Sequence, residues 1–89
     1  MKLSDEAYSN IRRFILRKLV IHNIWGAKHT SYDNLQKGLP SNLRGAAKEV
    51  ANKLIKEGLV LSHPTGYGLQ VALNPSMAKE IKRILGLEK

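Results

Sequence analysis

The side chains best suited to chemistry in this 89-residue chain are three histidines, His22, His29 and His63. Imidazole binds transition metals and exchanges protons near neutral pH, so three of them invite a metal or acid–base reading. No two are spaced i, i+4, as on a helix that presents paired ligands, and no Asp or Glu is evidently placed as a further ligand. With no cysteine, a thiolate metal site and a disulfide framework are both excluded. His29, Ser31 and Asp33 carry the letters of a catalytic triad. Neighbours this close in sequence do not readily converge, and Ser31 is placed to cap a helix. Gly66-Tyr67-Gly68 lacks the third glycine of a dinucleotide loop, and no glycine–lysine phosphate loop is present. The expectation is a protein that is not an enzyme and that uses no metal and no cofactor.

Charge is more informative. Fifteen Lys and Arg against seven Asp and Glu give a net charge of +8. Such a surplus favours a polyanionic partner, most often nucleic acid, because counterions released from phosphates drive the association. A merely solubilising surface is the alternative at this level. Apolar residues make up 43% of the chain, enough for one core, while the length is too short for two. A single domain over residues 1–89 is therefore expected. Apolar runs are too short to span a membrane, and Met1-Lys2-Leu3-Ser4-Asp5-Glu6 lacks the apolar stretch of a signal peptide. The expected setting is cytoplasmic, without a membrane partner.

The elements that must position any site follow from periodicity and caps. Ser4 or Asp5 starts a first helix whose apolar stripe is Tyr8, Ile11, Ile15 and Leu19 and which stops near Asn23–Gly26. A second stripe, Phe14, Ile21 and Trp25, has two readings: the last helix covers it, or it is a homodimer surface. A brief strand falls within Ala27–Ser31. Ser31 then caps a short second helix, Tyr32–Lys37, with Gly38 ending it and Leu35 and Leu39 anchoring it. A third helix runs from Ser41 or Asn42 to Glu57, burying Leu43, Ala47, Val50 and Leu54. Ser41, Gly45, Lys48, Asn52 and Lys56 project from its other side, with Arg44 and Glu49 at the margins. Leu59–His63 and Leu69–Leu73 read as strands around turn residues Pro64–Gly68. Asn74 and Pro75 open a final helix with Met77, Ile81, Ile84 and Leu85 inward.

That order, with Leu54-Ile55-Lys56-Glu57-Gly58-Leu59-Val60 leading from helix into hairpin, resembles the winged helix-turn-helix superfamily. Small archaeal and bacterial transcription regulators are its familiar members. Gly26–Ser31 and the Thr65–Gly68 turn look like those of small uncharacterised archaeal proteins of this type. The resemblance implies an α+β winged helix: a three-helix core with a short strand, a β-hairpin wing and an extra C-terminal helix. It also implies that helix 41–57 enters the major groove of duplex DNA. Carried over by position, the nucleic-acid-binding candidates are Ser41, Asn42, Arg44, Gly45, Lys48, Glu49, Asn52 and Lys53. Arg44 can read guanine or hold phosphate, Asn52 can pair with adenine, and Lys48 or Lys53 can neutralise phosphate.

Two departures bear on that list. The turn before the third helix is longer than usual, so the helix can instead begin near Leu43 or Arg44, which weakens Ser41 and Asn42. The wing tip, His63 to Gln70, has no Lys or Arg, which leaves His63 and Tyr67 as its contact candidates. The expected function is duplex DNA binding by a small transcription regulator or chromatin-associated factor. An RNA- or ribosome-binding winged helix and a protein-interaction module of the same fold are the alternatives.

Overall fold

The computed structural model describes residues 3–87. Helix α1 (Asp5–Ile21) begins where expected, with the Ser4 hydroxyl accepting the Ala7 N–H at 3.1 Å and Asp5 and Glu6 in the first turn. The chain reverses at Asn23, whose φ of 56° ends the helix, and continues into the short strand β1 (Thr30–Ser31). Helix α2 (Arg44–Lys56) leads into β2 (Val60–Thr65) and β3 (Gly68–Leu73), and helix α3 (Ala78–Ile84) closes the described chain. The class is α+β: three α-helices and one antiparallel sheet of order β1-β3-β2. Among the described residues no helix is long and apolar enough to cross a membrane.

Three expected boundaries are corrected. The segment read as a second helix is a 3-10 turn, Tyr32–Gln36. Ser31 caps it as expected, through the Asp33 N–H, but only six residues separate that cap from Gly38, too few for a sustained i→i+4 ladder. Ser41–Leu43 is likewise 3-10, so α2 starts at Arg44, the later of the two starts considered. The last helix opens with a 3-10 turn, Pro75–Met77, capped by Asn74, before α3 begins at Ala78. The hairpin turn is also tighter than the composition indicated. Pro64 and Thr65 belong to β2, and Thr65 pairs with Gly68 across a two-residue loop.

The core sits under α1. Ile15, Leu16 and Leu19 are fully or almost fully buried with Val50 and Leu54 of α2, Val60, Val71 and Leu73 of the sheet, and Ile81 of α3. Truncating a leucine at such a position costs about 2–5 kcal/mol, mostly lost transfer energy plus the cavity left behind. Leu35 is buried as expected, while Leu39 and Leu43 are only half-buried at the edge. β3 lies between its neighbours: Val60 pairs with Leu73 on one side and Thr30 with Val71 on the other. Ile24 and Gly26 extend that second edge by backbone hydrogen bonds to Leu73.

Candidate nucleic-acid interface

Helix α2 is positioned by its inner face. Ala47, Val50, Ala51 and Leu54 fall within one arc and are all buried, which turns Arg44, Gly45, Lys48, Glu49, Asn52, Lys53 and Lys56 outward. Each of these seven is exposed, so the outward residues expected from periodicity share one continuous helical surface. Ser41 and Asn42 are exposed too, but they lie on the 3-10 turn that feeds the helix, outside its regular face. The surface is mixed in character. Glu49 lies among the cations, and a Cβ on Gly45 would meet nothing within 4 Å.

Two residues of this face are held from outside the helix. The Tyr32 hydroxyl donates to Asn52 Oδ1 at 2.7 Å and lies 3.3 Å from the Lys48 carbonyl oxygen. One proton is thus shared between the helix backbone and the amide, and the Asn52 side chain is fixed with its NH2 group free. An asparagine so oriented can donate to an adenine N7, while the second lone pair of its oxygen can still accept from N6. Burial pushes the Tyr32 phenol above its usual pKa; the Asp33 carboxylate acts the same way, and the bond to Asn52 opposes them. Tyr32 was not among the candidates. Its partner is twenty residues away, and no local pattern announces the contact.

Lys53 is drawn to the opposite flank. Its ammonium sits 4.8 Å from the centroid of the Tyr8 ring, a cation–π distance. Beside it Arg12 of α1 meets Glu57 at 3.6 Å. Lys53 therefore belongs partly to the α1–α2 junction, and of the two phosphate candidates Lys48 stands clearer. Burial raises the Tyr8 pKa, as does Glu57, with Arg12 acting against them.

The hairpin beside α2 carries no charged residue between Val60 and Leu73. Tyr67 stands at its tip with 99% of its surface exposed, and the Thr65 hydroxyl shapes the turn by accepting from the Tyr67 N–H and donating to the Gly68 carbonyl. Gly68 takes a φ of 114°, a value that side chains resist. His63 pairs with Gln70 and brings its ring within 5.8 Å of His29, centroid to centroid, at 43°. These two histidines lie 34 positions apart in the chain, a separation that spacing rules for a single helix or strand do not detect. Among the described residues no group of three or more His, Cys, Asp or Glu is gathered as metal ligands would be.

The second apolar stripe does not form one surface. Phe14 packs toward Gly38, where a Cβ would lie 3.1 Å from its ring. Trp25 is half-buried and lines a shallow depression with Val20, Pro75 and Ala78, beside the start of α3. Ile21 is covered by neither and is 69% exposed. The cause is the reversal at Asn23, which carries Trp25 out of the helical register of Phe14 and Ile21.

No protein family, curated protein or solved structure was found to match this chain.

Proposed function

We propose that this chain is a winged-helix domain that binds duplex DNA through the outer face of α2, as a small transcription regulator or chromatin-associated factor. The observation that carries this reading is the exposed set Arg44, Lys48 and Asn52, with Asn52 oriented in advance by Tyr32. Orientation before binding lowers the entropy lost on docking, so a fixed amide beside two free cations suits base reading flanked by phosphate contacts. The passage of α2 directly into a two-stranded hairpin, and the short β1 beside β3, support the fold assignment. The net charge of +8 supports a polyanionic partner.

The hairpin adds little to this binding, because its neutral strands offer a phosphate only Tyr67 and His63. Affinity then comes from α2, with the net charge of +8 adding a general attraction. The test is titration of duplex DNA at several salt concentrations. About five phosphate contacts give a log K against log salt slope of roughly −4 to −5. Binding to a structured RNA that exceeds duplex DNA under the same salt would move the assignment to RNA, and no binding to either at low salt would remove it.

A further inference from the structure

A groove of about 600 Å3 runs along α1, between it and Lys37. Phe14 and Ile21 supply its apolar lining, seven residues apart, two helical turns or about 10 Å, on one side of the helix, with Asn10 and His22 beside them. Arg13, Arg17 and Lys18 of α1 and Lys37 of the facing loop supply its cations, and no acidic residue lines it among the described residues. The ion pairs among the described residues are Arg12–Glu57 and Glu80–Arg83, and neither enters the groove.

Lys18 shows how the charge is brought there. Its ammonium donates to the backbone carbonyls of Asn34 and Lys37, which ties the end of the 3-10 turn to α1. It also lies 6.0 Å from the centroid of the Phe14 ring. Desolvation holds its pKa below the ordinary lysine value, and the like charge of Lys37 adds to the effect. The groove thus gathers four cations, of which Lys18 is held by backbone carbonyls, next to the exposed hydrocarbon of Ile21.

We infer that this groove docks an acidic amphipathic helix of a partner protein, whose carboxylates meet the cationic rim and whose apolar side chains cover Phe14 and Ile21. Charge complementarity selects this occupant. A second copy of the chain placed symmetrically on the groove would set its four rim cations against the same four. A fatty acid would answer one cation with one carboxylate. A phosphodiester backbone would satisfy the rim but has nothing to place on Ile21, the most exposed aliphatic side chain among the described residues. The inference does not depend on the DNA-binding role of α2.

The experiment uses the full chain and fluorescein-labelled peptides of about 16 residues, long enough for four helical turns. One carries leucines seven positions apart on one face, flanked by glutamates. A second has the same composition with the leucines on opposite faces, and a third is polyglutamate. The first peptide is expected to bind at least about tenfold more tightly than the other two, a difference near 1.4 kcal/mol. Ile21→Ser and Arg17→Glu should each weaken it by about tenfold, and Ile21→Ser, on an exposed site, should leave duplex DNA binding unchanged. Equal binding of the three peptides, or indifference to Ile21→Ser, would overturn the inference. So would a result in which Arg17→Glu weakens DNA as much as peptide while Ile21→Ser affects neither, because the groove would then be part of a nucleic-acid surface.

Discussion

The outer face of α2 and the groove along α1 are both cationic, but they differ in what lies between the charges. On α2 the cations Arg44 and Lys48 share their face with Gly45, Glu49 and the fixed amide of Asn52. Along α1, Arg13, Arg17, Lys18 and Lys37 lie around a phenyl ring and an exposed isoleucine, with no acid in the lining among the described residues. The first face offers directional donors and backbone access, which suit a ligand of regular polar edges. The second offers hydrocarbon within a positive field, which suits a ligand that is itself amphipathic. The same net charge can therefore serve two kinds of recognition, set apart by what fills the space between the basic side chains.

The largest effects should come from reversing charge on one face at a time. Arg44→Glu with Lys48→Glu is expected to weaken duplex DNA binding by about 100-fold or more at low salt and to flatten the salt slope by about two units. The same pair should leave the amphipathic peptide within about twofold. Arg13→Glu with Arg17→Glu changes net charge by the same amount, yet should weaken the peptide by at least about tenfold and the DNA by only a few-fold through the general field. Parallel titrations of both ligands against both double variants read the comparison directly. If the two variants lose both ligands equally, the faces are one surface and the distinction fails.

A smaller effect isolates Gly45. Its backbone is helical and open around the missing side chain, so Gly45→Ala should stabilise the fold by up to about 1 kcal/mol. If close approach of a DNA backbone uses that space, the more stable variant will bind duplex several-fold less well. Thermal denaturation alongside the DNA titration checks both halves. A variant that is more stable and binds DNA as before would show that the glycine is only tolerated there.

Much of this arrangement is legible in the sequence because it is local. Ser4, Ser31 and Asn74 sit where caps are needed, and all three accept the expected backbone N–H. The spacing of Ala47, Val50 and Leu54 assigns the inner face of α2, and with it the outer one. What periodicity does not resolve is the choice between i→i+3 and i→i+4 bonding in short segments, hence the 3-10 turns at Tyr32–Gln36 and Ser41–Leu43. Nor does it reach contacts between distant residues. Tyr32 to Asn52, Lys18 to Asn34 and Lys37, and His29 beside His63 all depend on how elements pack. The apolar stripe of Phe14, Ile21 and Trp25 assumed an unbroken helical register, and the left-handed Asn23 breaks it. The candidate residues on α2 were thus readable, but the residue that orients one of them was not.

The smallest expected effect concerns that residue. Tyr32→Phe removes one shared hydrogen bond and leaves Asn52 free to rotate, at a cost near 1 kcal/mol in stability at neutral pH. The groove should be untouched, so peptide binding serves as the internal control, while DNA discrimination at the adenine-reading position should relax. The pH dependence gives a second readout. Because the folded phenol titrates above its ordinary 10.0, its stabilising contribution is complete below that value and is lost as pH rises through the higher folded one. Tyr8 acts with the same sign, and Lys18, whose folded pKa is lowered, acts with the opposite one. Both remain in the variant, so their contributions cancel when parent and variant are compared at the same pH. Urea unfolding at about pH 8 and again near pH 11 should show the stability gap between parent and Tyr32→Phe narrowing at the higher pH. A gap that stays constant would mean that the hydroxyl is not held in the fold, and Asn52 would then lose the orientation that sets the α2 face apart from the groove.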